Sequence, residues 1–529
     1  MGEARMTQPV IVTLDQSLAA AAARAPEKAA FTFEGRRTSF AVFARRAAQV
    51  AAALHAAGIK PGERIAYIGK NADLFFEALY GAILAGVVMV PVNWRLAGPE
   101  IAVIVDDALA RLILVGPEFF AVVADILPAM PRVETILASE GGHAVWQDFS
   151  AWRDAAEATA PDVTPAPEDV AIQLYTSGTT GRPKGVMLTH ANFTKGFAAA
   201  AVAGLSWNEW RDGDAAVQAM PVSHISGSGW GIASVHHAAT CHIQRQFDLD
   251  LTFDMIEHER ISKIFLVPAA LQFLVRHPRA ATLDFSPIRE MGYGASPIPL
   301  PLLRECITVM GCGFVQFYGM TETTGTIVAL PPEDHAPDGT PRMRAAGKPL
   351  PWVEVRVVDA DGVEVPRGSV GEITTRSTAN MKGYWNRPEE TAKTIRDGWL
   401  YTGDAGYMDA DGYVFIHDRV KDMIISGGEN VYPAEVESAL AEHPAIAEVA
   451  VIGVPDDKWG ETVKAVVVLR PGKELTDADL ISWSRTRIAG FKAPTSVDFT
   501  SVLPRNASGK ILKKDLRAPY WAGRTRQVN

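Results

Sequence analysis

The chain has 529 residues, with 51 basic against 61 acidic side chains, a formal charge of −10, and apolar and charged fractions of 48% and 21%. This composition excludes a largely disordered chain, a collagen-like fibre and a disulfide-stapled miniprotein, and the length suggests about three to four units of ordinary domain size. The acidic balance argues against a protein built to coat nucleic acid or an anionic membrane, yet a local basic pocket can still take small anions.

The N-terminus, MGEARMTQPVIVTLDQ, has no basic stretch followed by an apolar one, so no secretory signal is expected. From about residue 15 to 420, strand-like apolar runs alternate with amphipathic helical ones: ERIAYIG, then NADLFFEALYGAILAG, then VVMVPV. The longest apolar run, Ala78 to Val92, is 15 residues and contains Pro91. A bilayer needs about 20, so a buried helix followed by a buried strand is expected, in a soluble cytoplasmic protein without a transmembrane segment. Ala155 to Asp169, rich in Pro, Ala and acid, reads as a surface linker. The alternation resumes with KIFLVP, PAALQFLVRH, REMGYGA, PLPLLRECITVM and GFVQFYG. Such a pattern predicts an α/β architecture with largely parallel sheets and ligands beyond the carboxyl ends of the strands.

After Val353 the texture changes to short strands, with Asp361-Gly362 and Asp411-Gly412 suited to hairpin turns. From Asp422 it becomes mixed α+β, long enough for its own domain. The expected layout is a large N-terminal body of stacked α/β subdomains over 1–420, β-rich over about 353–420, and a small C-terminal domain over 421–529. There is no internal repeat. Cys241, Cys306 and Cys312 give an odd count without C-x-x-C spacing. They read as small buried apolar groups in a reducing compartment, not as a zinc site or disulfides.

The most informative stretch is Tyr175 to Leu188, YTSGTTGRPKGVML, after the apolar strand VAIQLY. Glycines let backbone N–H groups approach an anion, hydroxyls add donors, and Arg182 and Lys184 add charge. It is not a Walker loop, because Lys184 is followed by Gly185 and not by Ser or Thr. No dinucleotide fingerprint is present either.

The whole string resembles the phosphate loop of the adenylate-forming superfamily, which includes acyl-CoA synthetases, luciferases and peptide-synthetase adenylation domains. The other motifs of that superfamily follow in order. The resemblance implies nucleotide contacts from Thr176, Ser177, Gly178, Thr179, Thr180, Gly181 and Lys184, and from the loop Gly294-Ala295-Ser296 beside adenine. In Tyr318-Gly319-Met320-Thr321-Glu322-Thr323 it implies Tyr318 on adenine, Thr321 at the α-phosphate and Glu322 at Mg²⁺. Tyr401-Thr402-Gly403-Asp404 is similar to the ribose-binding motif, with Arg419 near the same sugar. Ser426-Gly427-Gly428-Glu429-Asn430 resembles the loop of a mobile C-terminal domain that lines the thiol path, with the hinge at Lys421. Asn506-Ala-Ser-Gly-Lys510 resembles the terminal motif, with Lys510 as catalytic lysine. These strings run over residues 175 to 510, and the first 170 residues also fit, without a diagnostic motif.

The implied activity is ATP-dependent ligation of a carboxylic acid to CoA through an acyl-adenylate, with ATP, Mg²⁺ and coenzyme A as cofactors. Two anions must be joined while charge moves onto pyrophosphate, so fixed cations and orientation should dominate. Substrate side chains should meet PVSHISGSGWGIASVHH, with His224 near the reacting carboxylate, although a hydrogen-bonded core histidine fits the same position. Gly227, Gly229, Trp230 and Gly231 fit either a groove with an aromatic wall or a tightly packed helix. No acid occurs between Pro221 and Asp248, so a substrate ammonium would lie unpaired and an α-amino acid is disfavoured. Acetate-specific relatives carry tryptophan where this chain has Met320, which favours a larger fatty or aryl acid. No carrier domain follows residue 529, which favours free CoA. The alternatives are an acyl-AMP ligase serving a separate carrier protein, a luciferase-like oxygenase, and a nucleotide-binding scaffold without turnover. A homo-oligomer is compatible with the sequence but not legible in it.

Overall fold

The structure, a computed structural model, describes residues 11–176, 183–419, 422–426, 429–456, 458–505 and 511–522. Four sheets organise the chain. In the first, eight strands run in the spatial order Gly383–Tyr384, Lys184–Thr189, Val170–Thr176, Val88–Val92, Arg64–Ile68, Ala110–Val115, Thr135–Ala138 and Gln147–Asp148. The middle of this sheet is parallel, and Lys184–Thr189 is antiparallel to both its neighbours. The second sheet has nine strands: Lys348–Pro349, Gly325–Leu330, Phe314–Met320, Glu290–Gly294, Lys263–Leu266, Ala215–Gln218, Thr240–Ile243, Ala29–Phe33 and Arg36–Ser39. Its centre is parallel and its edges antiparallel.

The third sheet is antiparallel and holds Glu354–Val358, Gly371–Arg376, Trp399–Met408, Ile395–Arg396 and Val414–Arg419. Both expected Asp-Gly turns are present, with Gly362 at φ +80° and Gly412 at φ +84°, values that glycine adopts without a Cβ clash. The fourth sheet comprises Glu429–Val431, Ile424–Ser426, Gly460–Leu469, Ile446–Asp456 and Ser496–Phe499. Helices Pro433–Ala441, Asp477–Arg485 and Lys513–Trp521 accompany it. The ring of His417, at the end of the third sheet, stacks on Tyr432 of this last unit at 4.6 Å between centroids.

The long apolar run behaves as expected. Helix Asp73–Leu84 is buried except at Leu84 and strand Val88–Val92 throughout, and the two acids of the helix are paired, Asp73 with Arg36 and Glu77 with Arg46 and Arg153. Residues 155–169 connect a helix to a strand without regular structure of their own. Two placements go beyond the sequence pattern. The N-terminal hairpin joins the second sheet, where Phe31 pairs with Cys241. The pair Gly383–Tyr384 leaves the β-rich stretch to extend the first sheet beside Met187 and Val186.

The largest core cluster lies where helices Leu14–Arg24, Phe40–Ala56, Asp73–Leu84 and Ile225–His236 meet, with Phe31 stacked on Phe76 at 4.9 Å. Each such aromatic contributes about 2–3 kcal/mol by burial. Cys241 and Cys306 are buried, Cys312 is half-buried, and all three are free thiols. Among the described residues no helix is long and apolar enough to cross a membrane.

Candidate active site

The central parallel strand Phe314–Met320 ends in a 3₁₀ turn, Thr321–Thr323, and reverses into Gly325–Leu330. Glycine is required at 319, where a Cβ would stand 1.8 Å from the Gly325 carbonyl oxygen. The Thr323 hydroxyl ties the turn by donating to Gly325 O at 2.7 Å and accepting from Met320 N at 3.0 Å. This exposes Tyr318, whose hydroxyl donates to Asp404 Oδ2 at 2.7 Å. Asp404 lies in strand Trp399–Met408 with Arg419 directly across the ladder, and Arg419 is described through its backbone. The second and third sheets therefore meet at the proposed adenine and ribose positions. The Gly403 N–H is held by Glu372 Oε1 at 2.9 Å, and burial, opposed by that N–H, raises the Glu372 carboxyl.

On the same rim Gly294 leaves no room for a Cβ, which would meet Phe317 O at 2.2 Å. The next residue, Ala295, sits at φ +64°. A non-glycine residue in the left-handed region costs about 1–2 kcal/mol, strain held here by the strand before it. Ser296 follows in the same half-exposed bend.

Glu322 is only 6% exposed, and the Tyr384 hydroxyl donates to its Oε1 at 3.0 Å. Burial, and then the Glu322 charge, push the Tyr384 phenol up, so it stays a donor. Lys184 Nζ lies 2.6 Å from Glu390 Oε2 and 5.0 Å from the centre of the Tyr384 ring. Phosphate-loop lysine and candidate metal carboxylate thus flank one tyrosine. Among the described residues no three His, Cys, Asp or Glu side chains cluster to cage a metal. One buried carboxylate beside a phosphate site suits Mg²⁺, which keeps waters and shares phosphate oxygens.

His224 is the N-cap of helix Ile225–His236, and its Nε2 is shut away from solvent without a hydrogen-bond partner. Burial, with a smaller contribution from Arg95, lowers its pKa to about 4, so the imidazole is neutral. Among the described residues nothing meets that nitrogen. The loop leading to His224 is fixed by buried Asn71. Its Nδ2 donates to Met220 O at 3.1 Å and Gln244 O at 3.0 Å, and its Oδ1 accepts from Val222 N at 2.9 Å.

The glycines that follow belong to a closely packed helix. A Cβ on Gly227 would stand 2.1 Å from Pro221 O, and one on Gly231 would stand 2.2 Å from the Phe76 ring. Gly229 faces Ile225 of its own helix. Met320 and Ile225 pack against the first core cluster, and Trp230 packs against the second.

Thr176 closes strand Val170–Thr176 opposite Lys184. Ser177, Gly178, Thr179, Thr180, Gly181, Lys421, Gly427, Gly428 and Lys510 lie outside the described residues. Glu429 opens a strand whose backbone pairs with Ser426.

The model of the AMP-binding enzyme family matches residues 18–385, and that of the AMP-binding enzyme C-terminal domain matches 435–510. The chain belongs to the adenylate-forming AMP-binding enzymes. This family member is 43% identical over 530 residues to the fatty acid–[acyl-carrier-protein] ligase ScoC of Streptomyces coeruleorubidus, covering 99% of this chain and 100% of that protein. It is 39% identical over 496 residues to feruloyl-CoA synthase of an Amycolatopsis species, covering 94% of this chain and 96% of that one. The crystal structure of the anthranilate CoA ligase AuaEII with anthranoyl-AMP superposes with a TM-score of 0.88 at 26% identity, over 97% of this chain and 98% of that one. The relatives of this AMP-binding enzyme are thus acyl- and aryl-acid ligases with the same mixed α/β body and small C-terminal domain.

Sequence reasoning missed Tyr384, Glu390, Glu372 and Asn71. Tyr384 and Glu390 lie about two hundred residues beyond Lys184 and meet it only because Gly383 pairs with Met187. Their segment, GYWNRPEE, carries aromatic and acidic residues beside a proline, a signal for a fixed turn that names no partner.

Proposed function

We propose that this enzyme is an ATP-dependent, AMP-forming acid–CoA ligase acting on a fatty or aryl carboxylic acid. The observation carrying this reading is that Tyr318 of the second sheet bonds Asp404 of the third, while Glu322, in the turn after Tyr318, and Lys184 of the first sheet flank Tyr384. In the first half-reaction a carboxylate oxygen attacks the α-phosphorus of ATP, the bond to pyrophosphate breaks, and acyl-AMP forms. Tyr318 and Asp404 hold the nucleoside. Lys184 moves from Glu390 to the phosphates, and Lys510 bridges carboxylate and α-phosphate. Mg²⁺ held by Glu322 would neutralise phosphate charge. Neutral His224 places a polar, uncharged group near the carboxylate. In the second half-reaction the CoA sulfur attacks the acyl carbonyl, AMP leaves, and the thiol proton is released.

The C-terminal unit supplies Lys510 for the first step and the Gly427-Gly428-Glu429 loop for the second, turning about Lys421, a gating movement between half-reactions. We place the enzyme in the cytoplasm, where its three free thiols and its ATP and CoA requirement belong. A second reading, transfer of the acyl group to a separate carrier protein, is favoured by the 43% identity to a carrier-protein ligase. Pyrophosphate and AMP release over a panel of carboxylic acids, with CoA, with a carrier protein, and with neither, tests both. Thioester formation with CoA is expected, and turnover only with the carrier protein favours the second reading. Absence of pyrophosphate release with every acid refutes both.

A further inference from the structure

The segment between Ser223 and Trp230 holds three buried polar atoms without a hydrogen-bond partner: Ser223 Oγ, His224 Nε2 and Trp230 Nε1. Native interiors leave few such groups, and each costs about 1–3 kcal/mol unless something meets it. Three within eight residues is a concentration that closing a core does not explain. Ser223 and His224 begin the helix and lie where the acid's carboxylate is proposed to react. Trp230 lies six residues further, about 9 Å along the helix axis.

The Trp230 indole is a donor only. Its ring sits among aromatics, with Trp210 at 5.7 Å and Phe265 at 6.3 Å, and Phe265 is in turn 6.2 Å from Phe317. Phe317 immediately precedes Tyr318, and the Phe265 and Phe317 rings cover Gly292 in the middle of its strand. An aromatic wall therefore runs from the nucleotide strand to Trp230, with an unmet N–H at its far end.

We propose that Trp230 is a specificity residue, and that the preferred acid is aromatic and carries an oxygen acceptor, a hydroxyl or ether, on the ring edge remote from the carboxylate. This rests on the ligase reading of the same site. The aromatic wall takes the ring, and the Trp230 Nε1–H donates to the ring oxygen. An alkyl tail would fill the wall but leave the N–H unmet.

The test compares hydroxycinnamic and cinnamic acids, and a saturated fatty acid, in CoA-dependent AMP formation by the wild-type chain and by Trp230→Phe. Wild type is expected to favour the oxygenated acid in kcat/KM by about tenfold or more, the discrimination expected when one buried donor loses its acceptor. In Trp230→Phe the preference falls towards unity, mainly by loss on the oxygenated acid. Equal wild-type kcat/KM for the two aryl acids, or an undiminished preference in Trp230→Phe, overturns the assignment. The wild-type comparison decides even if the variant folds poorly. If all three acids form thioesters without discrimination, this inference fails alone. If none releases pyrophosphate and neither does any other acid, the ligase reading fails with it.

Discussion

The hydroxyl of Tyr318 and the carboxylate of Asp404 are 2.7 Å apart, although they belong to different sheets and stand 86 positions apart in the chain. That bond fixes the aromatic surface proposed for adenine relative to the carboxylate proposed for ribose. Tyr318→Phe keeps the ring and loses the bond, so the KM for ATP is expected to rise about two- to tenfold with little change in acid KM. Asp404→Asn also weakens the grip on the ribose hydroxyls and is expected to cost about ten- to a hundredfold in kcat/KM for ATP. Nucleotide titrations of both variants check the order.

Lys184 is paired with Glu390 at 2.6 Å, and on the proposed reading ATP draws it away. The Glu390 side chain is 29% exposed, so removing the pair should change stability by less than about 1 kcal/mol. Glu390→Gln is expected to lower the KM for ATP by up to about fivefold, the same energy expressed as affinity. Lys184→Met should reduce kcat/KM by about a hundredfold or more. If Glu390→Gln loses activity as severely as Lys184→Met, the carboxylate aims the lysine and does not compete for it.

The two half-reactions are expected to separate by mutation. Lys510→Ala should slow adenylation by about 10²–10³ while largely sparing thioester formation from supplied acyl-AMP. Gly428→Leu should obstruct the thiol path and leave pyrophosphate release intact. Single-turnover measurements of each step decide, and equal damage to both steps in either variant refutes the division of labour.

Gly231 packs its bare Cα against Phe76, and a methyl group there would come within 2.2 Å of the ring. Both atoms lie in the core, so Gly231→Ala should destabilise by about 1–3 kcal/mol. Thermal melting measures this. An unshifted melting temperature means that the helix Ile225–His236 can slide away from Phe76, and acid specificity should then change.

Acid sensitivity follows from the buried histidines. His224 and His236 are lowered to about 4, and His237 well below its ordinary value, all chiefly by burial. Unfolded, His224 and His236 each take up a proton near pH 6.5, which the folded form refuses until about pH 4. Unfolding is therefore favoured progressively as pH falls through that window, by up to about 3 kcal/mol per group. Melting temperatures should fall steeply between pH 6.5 and 4, and His236→Gln should flatten the slope. A melting temperature constant across that range rules out the neutral buried state.

Much of the architecture is legible locally. The run from Ala78 to Val92 reads as a buried helix followed by a buried strand because it is uninterrupted by charge, and the structure has both. The Asp-Gly turns are equally plain, since only a residue tolerant of positive φ completes them. The glycines of SGSGWG fit a groove or a packed helix alike in sequence, and the nearness of Pro221 and Phe76, invisible there, makes Gly227 and Gly231 packing positions. The candidate nucleotide residues are legible as motifs because local strings specify turns and backbone approach. Their partners were not, because Tyr384, Glu390 and Asn71 act through chain segments joined by sheet pairing and long-range hydrogen bonds.

The sequence by itself determined the family and the α/β alternation, and it offered the candidate phosphate- and nucleoside-handling residues, since these reside in short strings whose chemistry is local. Tertiary structure alone decided that Tyr384 faces Glu322, that Lys184 rests on Glu390, and that the Trp230 N–H ends buried and unmet. Those facts depend on which strands lie side by side and on which polar atoms burial leaves without a partner, and no window of sequence contains either.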